Sequence, residues 1–369
     1  MEPVNLFDLE ELAKQAMPHN MWDFVDAACN DEITKRRNRE AFDRITINSD
    51  FLQDVSNRDT STTVLGEKIS FPVCVSPAGG QRQAHPDGEK GSAMGAGAAG
   101  TLMALNTSSG YSIEEVAQAA TGPLWWQLYH FNDEVTELLV KKAKNAGYKA
   151  IVLTVDTPAP SPKERDVRNN YQAAPGMHWG SLRDRPELIA LRSVGVPDLA
   201  DWNPPDFTGL TWDRLDWLRN LTGLPLVVKG IRTVKEAIQC AEYGVDGIIV
   251  SNHGGRQFDG TKSSIETLAP IGEALADSNM EIYLDSGVRR GTDVLKALAL
   301  GARAVFVGRP LFWGLMYGGA DGVETMLNIL RTEFDRAMAY AGKRTPDEIG
   351  RSVVELPCQC WTGNPIFAH

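Results

Sequence analysis

The chain has 369 residues, 43% of them hydrophobic and 23% charged, and 37 basic against 48 acidic side chains leave a net charge of −11. This composition excludes a disordered chain, a collagen-like repeat and a disulfide-stapled mini-protein, and so negative a surface disfavours nucleic acid as a partner. The length allows two or three ordinary domains or one large decorated barrel.

In chain order, the first 70 residues read as helical. Their start, Met1-Glu2-Pro3 followed by Asp8, Glu10 and Glu11, lacks the basic start and apolar core of a leader peptide. Short apolar runs then recur at Phe71–Ala78, Thr101–Leu105, Leu124–Tyr129, Ala150–Asp156, Pro225–Gly230, Asp246–Asn252, Glu281–Gly287 and Ala304–Arg309. Each is bounded by Gly, Pro or Asp, as parallel strands buried on both faces require. Gly91 to Ile113 is uncharged, but its Gly, Ala, Ser and Thr are too weakly apolar to span a bilayer.

Helical patterns fill the gaps. Ser112–Ala120 opens with Ser112 and carries Glu115 three positions on, a capping box. Val135–Asn145 places Leu138, Leu139 and Lys142 at helical spacing, with Ala146 following. Thr233–Tyr243 and Thr292–Leu300 each begin with a threonine able to serve as N-cap. Eight strands alternating with helices predict an α/β fold, a single (β/α)8 TIM barrel occupying residues 1–369 as one domain. A doubly wound open sheet would place a glycine-rich turn after the first strand, and Gly79-Gly80 is too short for that. The fourth and fifth runs start at 150 and 225, leaving an insertion over about 157–210 after strand four. An insertion there is expected to be a lid over the catalytic end. The last 60 residues read as helical.

Five scattered cysteines, Cys29, Cys74, Cys240, Cys358 and Cys360, suggest a reducing compartment without a disulfide framework. Cys358-Gln359-Cys360 has no companion cluster, so no metal is expected, and a soluble cytoplasmic protein with no membrane partner is.

Reactive groups of a barrel gather where its strands end. Those ends supply Pro77-Ala78-Gly79, Asn106, Gln127, Tyr129, Thr154, Asp156, Lys229, Ser251, His253, Asp285 and Arg309. Asp285-Ser286-Gly287-Val288-Arg289-Arg290-Gly291 and Gly308-Arg309-Pro310, after the last two strands, have the glycine turns and arginines of a phosphate site, which points to a phosphate-bearing cofactor. Ser251-Asn252-His253-Gly254-Gly255-Arg256 brings a proton acceptor and a carboxylate-gripping guanidinium into one turn. Lys229 ends an apolar run. Three readings stay open for it: an electrophile toward a cofactor's developing negative charge, a salt bridge to a barrel carboxylate, or a Schiff-base lysine.

Together these segments resemble the FMN-dependent L-2-hydroxy acid oxidases and dehydrogenases, the family of glycolate and lactate oxidases. Gln127-Leu128-Tyr129, Leu153-Thr154-Val155-Asp156-Thr157-Pro158, Val228-Lys229-Gly230 and Leu298-Ala299-Leu300-Gly301-Ala302 match as well, and the likeness runs from about residue 5 to 357. The resemblance implies FMN as cofactor. Gly287, Arg289 and Arg309 would hold its phosphate, with Ser286 and Gly308 in the same turns, and Asp285 its ribityl chain. Pro77, Ala78, Gly79, Asn106, Gln127, Thr154, Lys229 and Ser251 would line its ring. It further implies His253 as base oriented by Asp156, Tyr129 on the reacting oxygen, Lys229 opposite the reduced ring and Arg256 on the substrate carboxylate. Oxidation of a small 2-hydroxy acid to the 2-oxo acid would follow, by hydride transfer or by abstraction of the carbon proton. Electrons would pass to O2 or another acceptor, and the assembly would be a homo-oligomer, a tetramer.

Three positions depart from the family pattern. Lys163 stands where a second carboxylate-binding arginine is usual, and a point charge cannot make the planar two-bond grip. Arg165 would replace that arginine only after a shift of the loop. Phe24 stands where a substrate-binding tyrosine is usual. Both changes fall on the acid end of the substrate, so a substrate other than plain lactate or glycolate is expected. Gly79 stands where alanine is usual, as in the lactate monooxygenase branch, which keeps oxidative decarboxylation open although that branch's longer lid is missing. A non-redox FMN barrel such as an isomerase, and a catalytically weakened binding protein, stay open as well. Of Trp125-Trp126, one is expected in the barrel and the other against the helices.

Overall fold

The structure is a computed structural model that describes residues 2–159, 161, 163–173, 177, 179–185, 187–188 and 209–357. Three helices open it: α1 (Leu6–Ala16), α2 (His19–Asp26) and α3 (Ile33–Arg44). They are followed by strands β1 (Thr46–Ile47), β2 (Thr62–Val64) and β3 (Glu67–Ile69). The helical expectation for the first 70 residues therefore holds only to Arg44. Leu65 and Gly66, both at positive φ, form the tight turn of an antiparallel β2–β3 hairpin.

All eight expected strands form, most of them trimmed where their ends pass into loops, while the fifth runs one residue beyond its expected end to Ile231. They are β4 (Val73–Val75), β5 (Met103–Leu105), β6 (Leu124–Leu128), β7 (Ile151–Thr154), β8 (Leu226–Ile231), β9 (Gly247–Val250), β10 (Glu281–Asp285) and β11 (Ala304–Val307). They pair in parallel, and β11 closes onto β4 with Val305 opposite Val73. Alternation of side chains across each strand builds two cores. Inward, every strand contributes to the same cluster: Cys74, Ala104, Trp125, Val152, Val227, Ile249, Tyr283, and both Ala304 and Phe306 of the last strand. Trp125 meets Tyr283 edge-on at 5.4 Å and Phe306 at 5.8 Å. Its neighbour Trp126 faces outward into the larger core shared with the helices, so the two tryptophans divide as expected. Val64 and Ile69 of the hairpin join the inner cluster, and the Leu65 N–H donates to the Glu281 carboxylate at 3.1 Å. The hairpin thus closes the end where the strands begin.

Outside the strands lie α4 (Gly88–Ala98), α5 (Ile113–Ala119), α6 (Asp133–Asn145), α7 (Glu164–Arg168), α8 (Asp213–Thr222), α9 (Val234–Glu242), α10 (Ser264–Ala274), α11 (Gly291–Ala299) and α12 (Arg309–Tyr340). The capping box of Ser112 with Glu115 is present, and Thr233 makes another with Glu236. Thr292 is not a cap. The N-cap of α11 is Arg290, because the Asp293 carboxylate accepts the backbone N–H of Arg289 (2.8 Å) and Arg290 (3.0 Å) and starts the helix two residues earlier. The expected helical end of the chain holds for α12. After it, β12 (Val354–Glu355) pairs antiparallel with β1.

Of the insertion over 157–210, α7 and a turn at Gly180–Leu182 are described, and α7 packs on α2 beside the barrel mouth. Its stretch 189–208, like Cys358-Gln359-Cys360, lies outside the described residues. Among the described residues no helix is long and apolar enough to cross a membrane.

Candidate active site

The mouth formed by the strand ends holds a cavity. Pro77, Ala78, Gly79, Asn106, Tyr129, Lys229, His253, Arg256, Asp285, Ser286, Gly287, Arg289, Gly308, Arg309 and Phe24 all line it. Gln127, Thr154 and Ser251 lie buried beneath that lining and brace it. Asn106 Nδ2 donates to Gln127 Oε1 at 2.9 Å and Gln127 Nε2 donates to Thr154 Oγ1 at 3.0 Å, so each amide orients the next. Lys229 Nζ donates to Ser251 Oγ at 3.0 Å and stands 3.3 Å from Asp285 Oδ2. Burial opposes its charge, yet Asp285 and Asp156 outweigh burial and raise its pKa, so it faces the cavity as an ammonium. The salt bridge and the electrophilic reading of Lys229 are compatible in this arrangement.

His253 has φ +56, a backbone region that non-glycine residues seldom enter. Its N–H donates to Ser251 Oγ at 3.0 Å, and Gly254 and Gly255, also at positive φ, carry the turn on toward Arg256. The turn aims the ring so that Nδ1 lies 2.9 Å from Asp156 Oδ1. Burial alone would raise the Asp156 pKa, but His253 and Lys229 hold it below the usual carboxylate value. For His253, burial and then the Lys229 charge depress the imidazole below its ordinary 6.5. An ionised Asp156 beside a neutral imidazole fixes the proton on Nδ1 and leaves Nε2 as the free base. Gly230, at φ +111, makes this possible, since a Cβ there would stand 2.7 Å from Asp156 Cβ. Burial and Asp156 raise the Tyr129 phenol well above its usual range, which keeps it a donor.

On the Phe24 side of the cavity, Arg256 Nη1 donates to the carbonyls of Phe24 (2.8 Å) and Ala27 (2.7 Å), with its guanidinium over the Phe24 ring. Lys163 lies close enough to feel this charge, and burial together with Arg256 lowers it to about 8. Arg165 is committed elsewhere. It is ion-paired to Asp23 and, at 2.7 Å, to Asp26, while Asn169 also bonds Asp23, so this arginine clamps α7 to α2.

The turns after β10 and β11 build an anion cradle. Gly287 adopts φ +99, where a Cβ would come within 2.4 Å of the Asn38 carbonyl oxygen. Ser286 Oγ donates to Asp285 Oδ1 (2.7 Å) and accepts the Gly254 N–H (2.9 Å). Arg289 is lowered to about 10, mainly by burial. Arg309 is lowered to about 9 by burial and then by repulsion from Arg256 and Arg289. Arg309 Nε is buried with no hydrogen-bond partner among the described residues, and α12 begins at this point without a side-chain cap. Crowded cations, an orphaned N–H and a helix N-terminus together suit a phosphate group.

Sequence alone does not single out Ser76 and Val25 in the cavity wall, nor Gln83 and Tyr171 behind Phe24. Ser76 directly precedes the Pro77-Ala78-Gly79 motif, a signal that could have found it. Gln83 and Tyr171 carry no signal until the fold brings them to Phe24.

Residues 13–356 match the family of FMN-dependent dehydrogenases. The chain is 41% identical over 360 residues to an L-lactate oxidase of Nostoc sp., covering 96% of this chain and 98% of that one. It is 42% identical over 355 residues to human 2-hydroxyacid oxidase 1, covering 94% and 95%. Among solved structures, a soluble variant of (S)-mandelate dehydrogenase from Pseudomonas putida superposes with TM-score 0.89 at 33% identity, over 96% of this chain and all of that one. A mandelate oxidase in complex with 2-hydroxy-phenylacetamide superposes with TM-score 0.87 at 35% identity, over 97% and 100%.

Proposed function

The chain belongs to the FMN-dependent dehydrogenase family, and from that premise we propose that it oxidises an L-2-hydroxy acid to the 2-oxo acid and passes the electrons to O2. The observation that carries this reading is the Asp156–His253 pair at 2.9 Å, with Arg256 in the same cavity as the phosphate cradle. A non-redox FMN barrel has use for the cradle but not for a base set opposite a carboxylate clamp.

FMN, when bound, would supply the acceptor for the electron pair leaving carbon 2 and the means of passing that pair to O2. Arg289, Arg309 and the Gly287 and Gly308 turns would hold its phosphate, Asp285 its ribityl chain, and the Pro77–Gly79 loop, Asn106 and Lys229 its ring, with Gln127, Thr154 and Ser251 in support. Arg256 and Lys163 grip the substrate carboxylate against Phe24. Tyr129 donates to the substrate hydroxyl oxygen, and His253 Nε2 removes the hydroxyl proton as the carbonyl forms. Asp156 stabilises the imidazolium that results. Lys229 would present a fixed positive charge to the ring, suited to the negative charge of its reduced form. We place the protein in the cytoplasm as a homo-oligomer, and the buried free thiols of Cys29, Cys74 and Cys240 support the reducing compartment.

Anaerobic addition of a panel of L-2-hydroxy acids to the yellow holoenzyme tests this directly. At least one bleaches the flavin, and oxygen restores the colour with stoichiometric peroxide. If none bleaches it and His253→Asn behaves like wild type, the reading fails. Acetate-type products with CO2 in place of peroxide would instead support the monooxygenase outcome suggested by Gly79.

The pH profile follows from the two shifts. The base must be neutral, so kcat/KM falls on the acid side through a pKa below 6.5. Lys163 must be charged, so kcat/KM also falls as pH rises through about 8. Lys163→Arg removes the alkaline limb and leaves the acid limb in place, which initial rates over the pH range spanning both limbs will show.

A further inference from the structure

Behind the Phe24 wall of the cavity is a polar corner that the steps above do not use. The chain leaves β4 through Gly79-Gly80, and Gly80, at φ +77, swings Gln83 back toward α2. A Cβ on Gly80 would stand 2.7 Å from Gln83 Nε2 and 3.3 Å from the Phe24 ring, so glycine leaves the amide nitrogen its place. From the other side Tyr171 lays its ring on Phe24, with centroids 4.6 Å apart and planes 13° from parallel. The Tyr171 hydroxyl donates to Gln83 Oε1, which makes the nitrogen the free end of the amide. That nitrogen is buried and has no hydrogen-bond partner among the described residues. Buried donors are seldom left unmatched unless a partner arrives from outside. Arg256 lies over the same Phe24 ring at 5.4 Å, and Lys163 adds a second positive charge nearby. The Asp166 carboxylate, one oxygen of which is also buried without a partner among the described residues, faces these two cations and offsets them, so it is the unmatched amide N–H that selects an acceptor oxygen.

We propose that Gln83 and Tyr171 form a specificity subsite for an acceptor oxygen carried by the substrate beyond its reacting carbon. The preferred substrates are then 2-hydroxy acids bearing a second carbonyl or amide, a second carboxylate being disfavoured by Asp166. This rests on the oxidase reading above and narrows it.

The test compares two substrates of the same shape, the 4-amide of L-malate and L-2-hydroxy-4-methylpentanoate, with L-malate as the charged member of the series. Wild-type holoenzyme favours the amide over the hydrocarbon isostere by about tenfold in kcat/KM, mostly through KM, because the isostere leaves the corner unpaired. The same ratio appears in the affinities of the corresponding 2-oxo acids, read from the visible flavin band. Gln83→Glu keeps the size and the bond from Tyr171 but removes the donor, and the ratio falls to about one or below. Tyr171→Phe reduces it several-fold. A purely structural link between the two segments would lower both substrates equally and preserve the ratio. The proposal is overturned if the isostere matches or exceeds the amide in wild type, or if the ratio survives Gln83→Glu. Bleaching by the hydrocarbon acid alone sinks this subsite and spares the oxidase reading, whereas no bleaching by any 2-hydroxy acid sinks both.

Discussion

Replacing His253 by asparagine lowers kcat/KM by about three to four powers of ten while flavin content and thermal midpoint stay near wild type. Asparagine is the informative substitution because it tolerates the left-handed backbone found at φ +56, whereas alanine would add strain to the loss of the base. The neighbouring turn also survives, since Ser251 Oγ accepts the backbone N–H of residue 253 rather than its side chain. What disappears is the Nε2 acceptor, together with the imidazolium that Asp156 would stabilise. A measured loss confined to KM would move His253 from chemistry to binding. Unchanged rates would remove the base from the reaction altogether.

Arg309→Met weakens FMN binding by about 100-fold, the loss expected when charge-assisted hydrogen bonds to a phosphate are removed. In the absence of FMN the change acts in two directions. Arg309 is pushed to about 9 because it is sunk in the cavity wall beside Arg256 and Arg289, so replacing it relieves repulsion, but it also removes the bonds its guanidinium donates to the carbonyls of Gly254 and Ala27, both at 3.0 Å. The apoprotein midpoint therefore stays close to wild type, while the increase in midpoint given by saturating FMN shrinks. Melting curves with and without FMN separate these effects. A lower apoprotein midpoint with undiminished flavin affinity would show that Arg309 serves the fold and not the cofactor.

The barrel is legible in the sequence because each strand is buried on both faces and reads as an unbroken apolar run, from Val73–Val75 round to Ala304–Val307. The same geometry makes most of the site legible, since polar residues that interrupt such runs at their ends, Asn106, Lys229 and His253 among them, face the mouth. The hairpin at Thr62–Ile69 escapes notice because two three-residue strands carry too little alternation to register. The start of α11 is misplaced because Asp293 caps backward onto Arg289 and Arg290, a bond the leading threonine hides. Arg165 shows a different limit. Its sequence position keeps it available for substrate, but its partners Asp23 and Asp26 lie about 140 residues away and only folding brings them together. Gln83 and Tyr171 are silent for the same reason.

The hairpin beneath the barrel has a consequence for traffic. Val64 and Ile69 are fused into the ring of Trp125, Tyr283 and Phe306, and Glu281 ties the hairpin's turn to β10. The barrel is therefore a cul-de-sac rather than a corridor. Among the described residues, the doorway for fuel and spent product is therefore the mouth end of the barrel, beside which α7 is clipped to α2 by Arg165. A blocker wedged in that doorway halts entry and release at once, and neither could be rescued through the barrel floor short of unfolding the plug.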